Sequence, residues 1–128
     1  MNESTWLLTG ATGFIGRWLL RDLESKGYQL ILLLRRPQAQ ALELRSWLQA
    51  HGVHNPAFTV VAGDLEQPGW GLSEQDRRRL EQVRGIFHLA TRFAWGMTAA
   101  DARRANVTSL DTLLALVDAN PHLQRLRS

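Results

Sequence analysis

Short apolar runs alternate along this chain with longer stretches whose apolar residues recur every three or four positions. Thr5 to Thr9 is nearly all apolar and reads as a strand buried on both faces. Phe14 to Lys26 places Ile15, Leu19, Leu20 and Leu23 on one side and then meets Gly27, the pattern of a helix with a glycine stop. Tyr28 to Leu34 is a second buried strand. Pro37 opens a second helix that runs to about Ala50, with Leu44, Trp47 and Leu48 inward and Gly52 at its end. Phe58 to Ala62 is a third strand, closed by Gly63-Asp64. A polar, Gly/Pro-rich connection from Glu66 to Ser73 precedes a short charged helix over Glu74 to Val83, and Gly85 to Leu89 is a fourth strand. A long helix over roughly Ala99 to Ala119 presents Val107, Leu110, Leu114 and Val117 on one face and stops at Asn120-Pro121. Leu123 to Leu126 leads into a fifth strand.

Strand and helix in strict alternation predict an α/β fold: a doubly wound parallel sheet with helices on both faces. The expected strand order is 3-2-1-4-5, with a ligand over the carboxyl ends at the switch between strands 1 and 4. With no strand after the fifth, the sheet is expected to be incomplete on its carboxyl-terminal side. The uncovered edge would then invite self-association.

Composition narrows the class. The 128 residues make one domain over 1–128, large enough to bury roughly two-thirds of its unfolded surface. No apolar run approaches the ~20 residues of a membrane span, and no secretory signal precedes the first strand. Cysteine is absent, which excludes disulfides, thiolate metal sites and thiol catalysis, so the expected location is the cytoplasm. The formal charge of +3 comes almost wholly from arginine, Lys26 being the sole lysine. The densest cluster, Arg77-Arg78-Arg79, sits among Glu74, Asp76 and Glu81 and reads as a solvated helix face. Without a nucleic-acid motif or interleaved aromatic and basic residues, nucleic acid is excluded as a partner.

The candidate chemistry lies at Thr9-Gly10-Ala11-Thr12-Gly13-Phe14-Ile15-Gly16, between the first strand and the first helix. A Gly-rich turn in that position is a dinucleotide-binding fingerprint. Gly10 allows the tight turn, Gly13 removes a side chain where backbone must approach a pyrophosphate, and Gly16 lets the helix lie close on the sheet. The helix then starts with unpaired N–H groups and a partial positive charge aimed at the phosphates. Gly10, Thr12, Gly13, Phe14, Ile15 and Gly16 form the candidate cradle. The spacing Gly-x-x-Gly-x-x-Gly within TGATGFIG resembles the extended short-chain dehydrogenase/reductase family, Rossmann-type enzymes that bind NAD or NADP.

The end of the second strand separates the two cofactors. NAD-binding proteins normally carry an acid there for the ribose hydroxyls, whereas this chain has Leu34-Arg35-Arg36 and no acid until Glu43. Guanidinium groups pair with a 2′-phosphate that a carboxylate would repel, so Arg35 and Arg36 favour NADP over NAD. In the family, the Asp of Gly63-Asp64-Leu65 lies beside the adenine; Asp64 could equally cap the following turn. His88-Leu89-Ala90-Thr91 resembles the family's His-x-Ala-Ala segment, whose small residues let the cofactor pass, with Thr91 in place of the second alanine. His88 is read as structural. Asn106-Val107-Thr108 resembles an Asn-Val-x-Gly segment, with Ser109 where glycine is usual.

Gly63-Asp64-Leu65, Pro68, Gly71-Leu72-Ser73, Asp76, Leu80 and Val83 to His88 together resemble a narrower branch, the thioester and fatty-acyl reductases of the male-sterility type. That resemblance implies NADPH-dependent reduction of an acyl thioester or other small carbonyl compound. Reduction in the family also needs a tyrosine with a lysine four residues later, because an unassisted phenol near pKa 10 is a poor acid–base group. Tyr28 and Lys26 are the sole tyrosine and lysine and cannot form that pair. The chain is therefore expected to be the amino-terminal half of a longer reductase, inactive alone and without a catalytic residue of its own. A nucleotide-sugar epimerase or dehydratase using NAD, and a non-catalytic nucleotide sensor, are the alternatives.

Overall fold

The computed structural model describes residues 5–89, residues 110–120 and the backbone of residues 125–127. Five strands are β1 (Thr5–Thr9), β2 (Gln29–Leu34), β3 (Thr59–Ala62), β4 (Gly85–His88) and β5 (Arg125–Arg127). Helices α1 (Phe14–Ser25), α2 (Pro37–Ala50) and α3 (Glu74–Leu80) connect the first four, a 3-10 turn spans Pro68–Gly71, and residues 110–119 form α4. The strands pair in the order β3-β2-β1-β4-β5, all parallel, as the alternation of elements predicts.

Strand periodicity sorts the side chains between two layers. Leu8, Leu30, Leu32 and Leu34 point to one face and pack with Leu20 and Leu23 of α1 and Ala41, Leu44 and Leu48 of α2. Leu7, Ile31, Leu33, Val61 and Ile86 point to the other, against Trp70, Leu80, Val83 and Leu113 and Leu116 of α4. The near-continuous apolar strands are explained by burial on both sides.

Four expectations need correction. Ile15 is 72% exposed, because the face of α1 that meets the sheet runs through Gly16, Leu20 and Leu23. The third helix stops at Leu80; Glu81 and Gln82 turn the chain so that Val83, fully buried, can enter the core. The Glu66–Ser73 connection is not simply polar, since Trp70 within it is completely buried. In α4 the phase differs: Leu113 and Leu116 are buried, Val117 packs beside them, and Leu110 and Leu114 are each 48% exposed. Val107 lies outside the described residues. Asn120 fixes that phase at the helix end, its Nδ2 donating to the Val83 carbonyl at 2.7 Å.

The charged helix reads as expected. Ser73 Oγ accepts the Asp76 N–H as an N-cap, and Arg77, Arg78 and Arg79 pair with Glu81, Glu74 and Asp76. The phase of α4 is tested by two truncations compared in chemical denaturation. Leu113→Ala should cost about 2–5 kcal/mol as a buried cavity forms, and Leu114→Ala should stay within about 0.5 kcal/mol. The reverse order would place the wrong face inward.

Candidate functional site

The carboxyl ends of the strands gather the sequence-predicted residues. Gly10 follows β1 with φ 82°, the left-handed conformation that glycine adopts without strain. Its carbonyl accepts the Gly13 N–H at 3.1 Å, and the Gly13 carbonyl accepts from Arg17 at 3.0 Å as α1 begins. A Cβ on Gly16 would collide with the Gly10 carbonyl group, 2.6 Å from its carbon, and would stand 3.1 Å from Ala11 Cα. The close approach that requires glycine here is thus to the β1–α1 turn itself.

Gly13 is different. Its φ of −73° is open to any residue, and a Cβ would meet only the Gly10 carbonyl, at 3.4 Å. A Cβ would therefore fit at Gly13 at ordinary contact distance. The first turn of α1 has no side-chain cap and no acidic residue, so no side chain of its own compensates the partial positive charge of the helix amino-terminus. Phe14 and Ile15, at the start of that turn, are 79% and 72% exposed. Thr12 is also exposed.

Arg35 and Arg36 are exposed immediately after β2, and none of the ion pairs among the described residues engages either. Arg36 doubles as the N-cap of α2, its N–H donating to Gln40 Oε1 at 2.8 Å. Asp64 and Leu65 are half-buried after β3. Asp64 Oδ1 accepts the Glu66 N–H at 2.9 Å, which makes it a turn-former of the Asx kind. Leu89, after β4, donates its N–H to the Thr9 carbonyl at 3.3 Å and packs against the first core layer. Ala90, Thr91 and Asn106 lie outside the described residues.

Sequence reasoning missed three participants. Arg17 donates from Nη2 to the Thr12 carbonyl at 2.9 Å, lies 5.5 Å from the Trp47 ring centre and 3.6 Å from Glu43, and so ties the glycine turn to α2. Thr9, fully buried, places Oγ1 2.8 Å from His88 Nδ1, joining the last residues of β1 and β4. Burial holds the His88 imidazole below its ordinary pKa, so the ring stays neutral in this bond near pH 7. Trp70 stacks on that ring at 6.1 Å with 7° between planes. A lone tryptophan between two glycines was the available signal, a large apolar residue in an otherwise polar loop.

A five-stranded parallel sheet ordered 3-2-1-4-5, with an uncapped helix amino-terminus and a glycine turn at its switch point, defines a Rossmann-type dinucleotide-binding domain. Known proteins agree. A family model described as male sterility protein matches residues 8–127, and the chain belongs to this family of NAD(P)-binding domains, within the extended short-chain dehydrogenases/reductases. It is 38% identical over 116 residues to the L-2-aminoadipate reductase large subunit of Penicillium chrysogenum, covering 83% of this chain and 8% of that protein. It is 31% identical over 134 residues to human fatty acyl-CoA reductase 2, covering 92% of this chain and 26% of that one. Among solved structures, the terminal R domain of the myxalamid PKS-NRPS pathway superposes with a TM-score of 0.78 at 30% identity, over 95% of this chain and 33% of that one. The chain therefore spans well under two-thirds of each of these relatives.

Proposed function

We propose that this chain is the NADP(H)-binding portion of a reductase that acts on an acyl thioester or another small carbonyl compound. One observation carries the cofactor choice. Two exposed guanidinium groups, Arg35 and Arg36, follow β2, where an NAD-binding domain normally carries a carboxylate. The residues fit the group: Gly13 leaves the space of a missing side chain, the amides of the first α1 turn await an anion, and Gly10 and Gly16 fix that turn. Gly10, Thr12, Gly13, Phe14, Ile15 and Gly16 would hold the pyrophosphate, Arg35 and Arg36 the 2′-phosphate, and Asp64 and Leu65 the adenine. Leu89, Ala90, Thr91 and Asn106 would line the path beyond. Bound there, the cofactor would supply hydride. Relatives named as aminoadipate and fatty acyl-CoA reductases support the substrate class.

The chain's sole tyrosine and lysine lie at the amino-terminal end of the sheet, away from the glycine turn. Tyr28 precedes β2 at the amino-terminal edge, edge-on to Trp6 at 6.1 Å and to Phe87 at 6.2 Å. Lys26 is occupied by Asp22 at 2.9 Å, and that hydrogen bond raises its pKa. We place the domain in the cytoplasm; no helix among the described residues is long and apolar enough to cross a membrane. Self-association along the β5 edge is part of the same proposal.

Calorimetry tests the cofactor assignment. NADPH should bind more tightly than NADH, and Arg35→Ala should weaken NADPH by about 1.5–3 kcal/mol, the scale of a hydrogen bond to a charged group, with NADH little changed. Equal affinity for both cofactors in the unaltered chain would contradict it. A second expectation concerns turnover. The 128-residue chain should not oxidise NADPH in the presence of an acyl-CoA thioester, an aldehyde or a ketone, since a positioned general acid contributes ~10²–10⁴-fold. Substrate-dependent oxidation that Gly13→Val abolishes would overturn that expectation.

A further inference from the structure

The residue with the least ordinary backbone in the described chain is also one of its most deeply buried. Trp70 has φ 57° and ψ 14°, the left-handed region that a bulky side chain rarely enters, and it is the sole non-glycine residue with positive φ among the described residues. Gly69 and Gly71 on either side are left-handed too, with φ 61° and 63°. Such a conformation persists where the surroundings over-determine it, and it concentrates at functional sites. Here the surroundings can be named.

Toward β3, the Trp70 carbonyl accepts the Asp64 N–H at 2.8 Å and its N–H donates to the Gln67 carbonyl at 2.9 Å, while the Gln67 N–H returns to the Asp64 carbonyl at 2.9 Å. Gly63 completes the fit. A Cβ there would stand 3.0 Å from the Trp70 carbonyl oxygen and 2.5 Å from Leu33 Cδ1. Toward β4, the indole lies parallel to the His88 imidazole, whose Nδ1 meets Thr9 Oγ1. β3 and β4 are separated by β2 and β1, a span of roughly 14 Å at the usual strand spacing. One residue bridges that span, and its two ends touch the two places where a dinucleotide would contact the sheet.

We propose that Trp70 is a positioning residue for the cofactor crevice, its strained turn carrying the state of the Asp64 turn to the Thr9–His88 pair at the switch point. The proposal rests on the cofactor reading above and adds a coupling to it. In this proposal, occupancy of the adenine side draws on the Asp64 turn, the turn shares two hydrogen bonds with Trp70, and the indole lies parallel to the His88 ring. Packed elements switch between discrete arrangements rather than deform continuously, and coupling by a physical route requires such an element. By reciprocity, whatever orders the floor at His88 also favours the adenine side.

The probe is 2′,5′-ADP, which carries the adenine and the 2′-phosphate but no nicotinamide half. In the unaltered 128-residue chain, labelled with 15N, titration should move the Trp70 indole N–H and the His88 imidazole resonances together, with one midpoint equal to the calorimetric Kd. A purely structural Trp70 would leave His88 unmoved at saturation, and that result overturns the proposal while the cofactor reading stands. Failure of 2′,5′-ADP to bind overturns both. Trp70→Phe keeps a ring to stack and should keep the His88 response. Trp70→Leu should lose the His88 response at saturating 2′,5′-ADP, and a full response in that variant would also overturn the proposal. If Trp70→Leu does not fold, the titration of the unaltered chain decides.

Discussion

The collision that a side chain at position 16 would suffer with the Gly10 carbonyl is the constraint on which the site depends. That carbonyl has little freedom to retreat, because Gly10 is left-handed and already accepts the Gly13 N–H. The amino-terminus of α1 is consequently seated on the end of β1, the strand with neighbours on both sides in a chain order that reverses there. From Gly16 the buried face continues to Leu20 and Leu23, so the same contact sets the rotation of the helix against the first core layer. Phase, seating and the direction of the helix dipole follow from one close approach.

The two ends of the sheet have opposite characters. At the amino-terminal edge, Trp6 stacks on Phe87 with ring centres 4.8 Å apart, Tyr28 meets both edge-on, and Gly85 is bare because the Trp6 ring occupies the place of its side chain. That end is filled by protein. At the carboxyl end, the glycine turn, the first amides of α1 and two arginines face outward. The β3 strand at the sheet's flank is guarded from both layers: Arg45 of α2 lies 4.6 Å from the Phe58 ring centre with Nη2 3.4 Å from the Phe58 carbonyl, and Arg79 of α3 donates to Thr59 Oγ1 at 3.2 Å. Charge held along an outer strand discourages pairing with another chain.

Much of this was legible in the sequence, for reasons that differ by element. Runs such as Leu30 to Leu34 are too short for a membrane span and of strand length, and Gly27 and Gly52, both left-handed, end their helices as their positions suggest. The order 3-2-1-4-5 followed from alternation and the glycine loop together. What was not legible depended on tertiary choice. Leucines occupy 110, 113, 114 and 116, so several apolar stripes compete in α4, and the Asn120 bond to Val83 selects one. Composition marked residues 66–73 as a polar loop, yet Trp70 is a core residue there because flanking glycines permit its turn. At the site, the glycines and Arg35 stood out in sequence, whereas the Arg17 bond to Thr12 and the Thr9–His88 pair join residues with no local pattern.

On the cofactor reading proposed above, the turn between β1 and α1 serves two ends: Gly16 fits the chain's own packing, and Gly13 leaves room for a pyrophosphate. Gly13 separates the two, since its φ of −73° is open to any residue and a Cβ there would meet only the Gly10 carbonyl, at 3.4 Å. The decisive measurement is Gly13→Val, with thermal melting and NADPH calorimetry performed on the same preparation. A melting temperature near that of the unaltered chain together with lost NADPH binding is the predicted result. Unimpaired NADPH binding, or loss of binding only in step with unfolding, would contradict it.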